Sequence, residues 1–149
     1  MHLPEETIIT VLCMIYRDDS ILLQDRHKDS WEGLTFPGGH VKKKESFVQA
    51  VIREIKEETG LDIYAPKFCG VEQFWTKSGI RYIVLLFKTN QFTGQLVSSI
   101  EGKMQWMKKN ELNKAKLVSN FFDILKIFQQ DDINELVYDS LCFDEAIYY

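Results

Sequence analysis

Little in this chain could build a disulfide framework or a soft-metal centre. Its three cysteines, Cys13, Cys69 and Cys142, are an odd number and have no metal-ligand spacing. Each stands in apolar surroundings, so the expectation is buried free thiols and a reducing cytoplasm. His27 and His40 are isolated, with no second histidine at ligand spacing, and are expected at the surface. No N-terminal apolar run is long enough to span a membrane, and Glu5-Glu6 stand where a signal peptide would be basic. Repeats, linkers and low-complexity tracts are missing too, so residues 1–149 are expected to form one domain. A basic excess is also absent. The net charge of -4 argues against a nucleic-acid polymer as partner. It does not exclude an anionic nucleotide, because a bound metal reverses the local field.

What is present is an ordinary globular composition, 45% hydrophobic and 27% charged, with enough chain for a proper core. Residues Thr7 to Tyr16 are β-branched and apolar and read as a buried strand. Arg17 to Ser20 form a turn, and Ile21 to Asp25 a second strand, giving a hairpin. A polar loop, Arg26 to Asp29, follows, then Trp31 to Phe36 leading into Pro37-Gly38-Gly39. Later strands are expected within Ile63–Trp75, at Ile80–Thr89 and at Met104–Met107, with turns at Thr76–Gly79 and Asn90–Gly94. Asn110–Leu117 reads as a short helix. Asn120–Gln129 reads as a clear one, with Phe121, Ile124, Leu125 and Phe128 on one stripe and Ser119 as its cap. The tail from Val137 to Phe143 is expected to add an edge strand. This order predicts an α+β fold, a mixed sheet with helices packed on it.

The most informative stretch is Gly39 to Leu61. Ser46 followed by Gln49 is a capping-box start, and Gly60 is a helix stop. Between them Val48, Val51, Ile52 and Ile55 make an apolar stripe at helical spacing, with Glu54, Glu57 and Glu58 on the adjacent flank. For a helix alone that flank is unfavourable. Glu54 and Glu58 are like charges four residues apart, and Glu57 and Glu58 lie where the helix dipole is negative. A hard divalent cation offsets the repulsion, and Mg²⁺ or Mn²⁺ suits carboxylates that share it with water and phosphate. Phe36-Pro37-Gly38-Gly39 lets the backbone come close to a ligand. A solvated charged face beside a core stripe is the bland alternative.

The same residues fit the Nudix box, G-x5-E-x7-R-E-U-x-E-E-x-G-U with U aliphatic. Gly39, Glu45, Arg53, Glu54, Ile55, Glu57, Glu58, Gly60 and Leu61 fill all nine fixed positions without a gap. The chain therefore resembles the Nudix hydrolases, which cleave nucleoside diphosphates linked to another group with Mg²⁺ or Mn²⁺. The resemblance implies an α/β/α sandwich with a mixed central β-sheet. It implies Glu54, Glu57, Glu58 and the Gly39 carbonyl as metal ligands, and Arg53 and Glu45 as residues that orient the cluster. Gly38 and Gly39 then meet the substrate. The segment before the box carries nucleotide contacts in the family, so Arg26 is a candidate for phosphate, with an exposed loop arginine as the alternative. Trp31 could stack a base or fill the core.

Hydrolysing a phosphoanhydride requires charge neutralisation, an activated water and positioning. Family members differ in the general base, some using a box glutamate and others a loop glutamate. Glu57, Glu54 and Arg53 in the box and Glu101 before the strand of Trp106 are the catalytic candidates here, with Glu72 as an alternative to Glu101. The substrate is approached by elimination. There is no SQPWPFPxS-type string as in NADH pyrophosphatases. Thr76 stands where ADP-ribose enzymes often carry proline. Lys77, Ser78 and Gly79 stand where diadenosine-polyphosphate enzymes often carry tyrosine. The chain then looks most like MutT-type nucleoside triphosphatases, which release a monophosphate and pyrophosphate, often from 8-oxo-dGTP. Nucleotide sugars or ordinary triphosphates, and a non-catalytic nucleotide-sensing module, stay as alternatives. Many relatives pair as dimers, so a homodimer is an expectation of the resemblance alone.

Overall fold

A computed structural model describes residues 1–27, 32–139 and 145–149. Trp31, Cys142, the second half of the polar loop and the far half of the expected Val137–Phe143 strand lie outside them. The alternating apolar strands form a mixed sheet in which β1 (Thr7–Arg17) is central. It pairs parallel with β7 (Arg81–Thr89) over nine residues, Thr7 to Ile15 against Arg81 to Thr89. The opposite edge of β1 is shared. Near Tyr16 it turns through Asp18-Asp19 into β2 (Ser20–Arg26), the expected hairpin. Near Val11 it pairs with β4 (Gly38–His40). Strand β3 (Gly33–Thr35) and β9 (Gly102–Lys108) flank β2. On the far side β6 (Lys67–Trp75) pairs with β7, then come β10 (Glu135–Tyr138) and β11 (Ala146–Tyr148), which is the edge. Val137 and Tyr138 of the expected edge strand belong to β10, and Ala146 to Tyr148 supply the outermost strand.

Helix α1 (Phe47–Thr59) lies on one face of the sheet and α2 (Phe121–Gln129) on the other, the α/β/α sandwich. Strand alternation separates the two cores. Val11, Cys13 and Ile15 of β1 pack with Ala50, Val51 and Ile55 of α1. Met14, with Leu12 at the margin, packs with Phe121, Ile124, Leu125 and Phe128 of α2. Phe36 stacks on Phe121 and meets Phe128 edge-on, which fixes the approach to Pro37.

Both ends of α1 form as the sequence dictates. Ser46 and Gln49 close the reciprocal capping box, and Gly60 takes the left-handed conformation at φ 77. The stripe differs from the expected one. Val51 and Ile55 are buried, but Val48 and Ile52 are 46% and 36% exposed. The helix is rotated so that its inner side runs Ala50, Val51, Ile55, Glu58, Thr59. That rotation puts a carboxylate, Glu58, on the buried side. Two other local expectations give way to long-range pairing. Within Asn90–Gly94, Gln91–Thr93 form β8, antiparallel to β5 (Asp62–Tyr64). Asn110–Leu117 contains a 3₁₀ turn, Lys109–Lys114. The cap of α2 is Asn120 and not Ser119, and its side chain makes no capping bond because it is committed elsewhere. Asp123 of α2 accepts the hydroxyls of Tyr138 on β10 and Tyr148 on β11, at 2.6 and 2.7 Å, which ties the helix to the sheet edge. Cys13 is buried and Cys69 half-buried, and both are free. No helix among the described residues is long and apolar enough to cross a membrane.

Candidate active site

Strand β4 is the part that brings the site together. Its first residue must be glycine. A Cβ on Gly38 would lie 2.0 Å from the Val11 carbonyl oxygen, and one on Gly39 would lie 2.3 Å from Glu54 Oε2. The first contact is with fixed backbone, so the β1–β4 pairing tolerates no side chain at Gly38. The second shows that the Glu54 carboxylate rests directly on the Gly39 backbone.

Arg53 organises the carboxylates above that strand. Its Nε and Nη2 donate to Glu45 Oε1 and Oε2 at 2.6 and 2.9 Å, a two-pronged pair. Nη2 also donates to the His40 carbonyl at 3.0 Å. Nη1 donates to Glu54 Oε1 at 2.7 Å and to Glu57 Oε2 at 3.2 Å. A planar guanidinium can serve these four acceptors at once, and an ammonium cannot. The Arg53 guanidinium, with the Lys42 backbone N–H, holds the Glu45 carboxyl down at about 2. The structure thus brings Arg53 and Glu45 together.

Glu58 is set apart from this pair system. It is 7% exposed and accepts the Gly38 N–H at 3.0 Å. Burial pushes its carboxyl up to about 7, and the like charges of Glu54 and Glu101 push the same way, against the Gly38 bond and Arg26. Glu101 is therefore within electrostatic reach of Glu58, although 43 positions separate them in the sequence. It sits in the turn before β9, with its backbone N–H bonded to Ser99 Oγ. Among the described residues no three His, Cys, Asp or Glu side chains form a ready-made metal cage. The reason is visible in the bonds above: Arg53 draws Glu54 and Glu57 towards itself, and Gly38 holds Glu58. The donors are nonetheless hard oxygens crowded by like charge, which is the chemistry a divalent cation relieves, and Mg²⁺ needs only one or two of them.

On the other side of β4 is a cavity of about 280 Å³, near the lower end of ligand sites. Gly38, Gly39, His40 and Arg26 are among the residues that line it. Arg26 feels both Glu58 and Tyr82, so it stands between the carboxylates and the cavity. Its Nε is buried without a partner, as is Gln24 Nε2 two residues back on the same face of β2. Two buried donors left unpaired cost free energy unless a ligand accepts them. The cavity floor holds Glu72 of β6 and Asn120, both buried, with Asn120 Nδ2 donating to Glu72 Oε1 at 2.7 Å. Glu72 thus lies in the cavity lining on the α2 face, bonded to Asn120. His27 and His40 are exposed as expected, with His27 Nε2 3.6 Å from Asp25. Trp106 packs between Phe92 and the Arg17 guanidinium, away from the cavity lining.

Reading residues in order missed the cavity floor. Asn120 looked like a helix start and Glu72 like a spare carboxylate. One signal was available: Glu72 occupies an inward period-2 position of β6, between Gly70 and Phe74, where a strand normally carries an apolar side chain.

The NUDIX domain model matches residues 6–126. YvcI, an uncharacterized Nudix hydrolase of Bacillus subtilis strain 168, is 37% identical over 110 residues, 70% of this chain and 68% of that protein. An ADP-ribose pyrophosphatase of Methanocaldococcus jannaschii is 47% identical over 49 residues, which is 32% of this chain and 29% of that enzyme. Among solved structures, a mutator MutT protein from Bacillus halodurans superposes with a TM-score of 0.78, covering 95% of this chain and 97% of that one. At 22% identity that likeness speaks for the fold.

Proposed function

Because the chain belongs to the Nudix hydrolase family, which acts on phosphoanhydride bonds with the help of divalent cations, we propose that it hydrolyses a nucleoside triphosphate to the monophosphate and pyrophosphate. An oxidised purine triphosphate such as 8-oxo-dGTP is the first candidate. The observation that carries this reading is the Arg53 hub, which fixes Glu45, Glu54, Glu57 and the His40 carbonyl beside a glycine strand that also walls a cavity.

Glu54, Glu57, Glu58 and the Gly39 carbonyl would hold Mg²⁺ or Mn²⁺. When bound, the cation supplies charge neutralisation on the phosphates and a more acidic water. The protein's own residues do the rest. Arg53 keeps Glu54 and Glu57 oriented while Glu45 anchors the guanidinium from behind. Arg26, with its unpaired Nε, takes a phosphate oxygen. Gly38 and Gly39 let the phosphate chain lie against backbone. Glu101, brought near Glu58 by the turn before β9, accepts the proton of the attacking water, and Glu57 is the alternative base. The free thiols Cys13 and Cys69 support a reducing cytoplasm as the setting. In this reading residues 1–149 form one domain.

The ADP-ribose pyrophosphatase match supports a second reading, a nucleoside diphosphate linked to a sugar. Pyrophosphate and monophosphate release, measured over a panel of nucleotides with and without Mg²⁺, separates the readings. Metal-dependent pyrophosphate release from a triphosphate is the expected result. Cleavage of ADP-ribose or a nucleotide sugar alone would move the assignment to the second reading, and no cleavage of any compound would indicate a nucleotide sensor.

A further inference from the structure

Gln24 is a polar residue in an apolar place. It is 2% exposed within β2, and its Nε2 has no hydrogen-bond partner among the described residues. Most buried amides find one, because an unmade bond leaves the cost of desolvation standing. Strand alternation puts Gln24 on the face of β2 that carries Leu22 and Arg26, the α1 face. Its cross-strand neighbours are Thr35 on β3 and Met104 on β9. Arg26 and Thr35 line the cavity, and Gln24 does not. A phosphate in the cavity is therefore within reach of Arg26, and Gln24 needs another acceptor. What lies against its side chain is Gly102, at the start of β9. A Cβ there would stand 3.3 Å from Gln24 Cγ and closer still to the Asp25 carbonyl oxygen. Gly102 has φ 153, and its missing side chain lets the turn before β9 settle on β2. Glu101 is the residue before it. The Glu101 N–H donates to Ser99 Oγ at 3.1 Å and the Gly102 N–H to the Ser99 carbonyl at 3.3 Å, which fixes the turn. The charge of Glu101, like that of Arg26, reaches Glu58.

We propose that Gln24 is a positioning residue, whose amide N–H holds the carboxylate of Glu101 beside Glu58 in the substrate complex. The inference rests on the reading of Glu101 as acceptor of the water's proton. The β2–β9 register sets Gly102 against Arg26, so Glu101 leaves the sheet one residue beyond the strand that carries Gln24. A neutral amide also suits the task. It orients a carboxylate with less loss of basicity than a guanidinium, whose charge-assisted bonds hold a carboxyl down as Arg53 does Glu45. In the unliganded protein Glu101 and Glu58 repel each other. Once the charge on the α1 carboxylates is neutralised, Glu101 comes down onto the waiting N–H. Hydrogen bonds of this kind commonly tighten only with substrate bound.

The test uses Gln24→Met, which keeps the length of the side chain and removes its N–H. Mg²⁺-dependent hydrolysis of GTP should fall roughly 10–100-fold in kcat with KM unchanged. The melting temperature should hold or rise, because the variant buries no unpaired donor. Added to Glu101→Gln, the change should cause no further loss. A loss that multiplies with that of Glu101→Gln, or one carried by KM, overturns the inference. So does wild-type turnover by Glu101→Gln, which leaves Gln24 no base to position while the hydrolase reading stands. A second readout needs no turnover: the nitrogen–proton NMR signals of the Gln24 side-chain amide, assigned through bonds from its own backbone. Mg²⁺ with a GTP analogue bridged by methylene between its α- and β-phosphates should move these signals downfield in the wild type and not in Glu101→Gln. Signals that stay in place in the wild type, or move alike in both proteins, overturn the inference. If the wild type cleaves no nucleotide, the hydrolase reading fails and the amide signals alone decide. They decide in the same way should Gln24→Met not fold.

Discussion

Glu58 and Glu72 are both buried, and the carboxyl of each is pushed up to about 7, yet they sit on opposite faces of the sheet in opposite company. Glu58 has like charges around it, Glu54 and Glu101, and one backbone N–H. Its discomfort is relieved by positive charge. Glu72 has an amide, Asn120, for a partner and lies in the lining of the cavity. Burial alone does not assign a role to a glutamate; the neighbours do.

The sharpest break of this contrast is at the charged face. Glu57→Gln removes charge and no core volume from a half-exposed side chain. It should cut kcat on the order of 10²–10³-fold, with an unchanged circular-dichroism spectrum. Wild-type turnover would remove the charged face from the chemistry. Next in size is Arg53→Lys, which keeps the charge but cannot hold Glu45, Glu54, Glu57 and His40 together. A loss of roughly 10–100-fold in metal-dependent rate is expected, of the kind seen when a residue supporting metal ligands is changed. The loss should persist at saturating substrate, as kcat measurements will show.

Gly38→Ala tests the strand common to both faces. With a methyl placed 2.0 Å from the Val11 oxygen, β4 has to move, and a cost of about 1–3 kcal/mol in denaturant unfolding is expected. An unchanged midpoint would mean that β4 is free to shift. The smallest effect is in pH. A carboxyl raised in the folded state lets that state bind more protons than the unfolded chain between about 4.5 and about 7, so stability falls as pH rises through that window. Glu72→Gln should flatten the fall in melting temperature by roughly 2–4 °C. Added Mg²⁺ should flatten the Glu58 share in the wild type and leave the Glu72 share. A variant as steep as the wild type would refute a buried acid at Glu72.

What could be read from the sequence follows from range. The ends of α1 are written within a few residues, Ser46 with Gln49 and Gly60 by its conformation, and both appear as expected. The Arg53 hub is also local, because its carboxylate partners all lie within eight positions of it. The rotation of α1 that exposes Val48 and Ile52 is set by docking on β1 and β4, and periodicity alone does not fix it. Strand β8 exists because β5 is there to pair with it. The Glu72–Asn120 pair spans 48 positions, and a cap that bonds to a distant strand looks like any other cap until the chain is folded.

Three residues, Gly38, Gly39 and His40, separate the two faces, and they are a party wall rather than a floor for either. The Gly38 N–H, the Gly39 backbone and the His40 carbonyl are engaged by Glu58, Glu54 and Arg53 on one side, while the same residues close the cavity on the other. A displacement of this wall from the cavity side would therefore carry the anchors of the carboxylates with it.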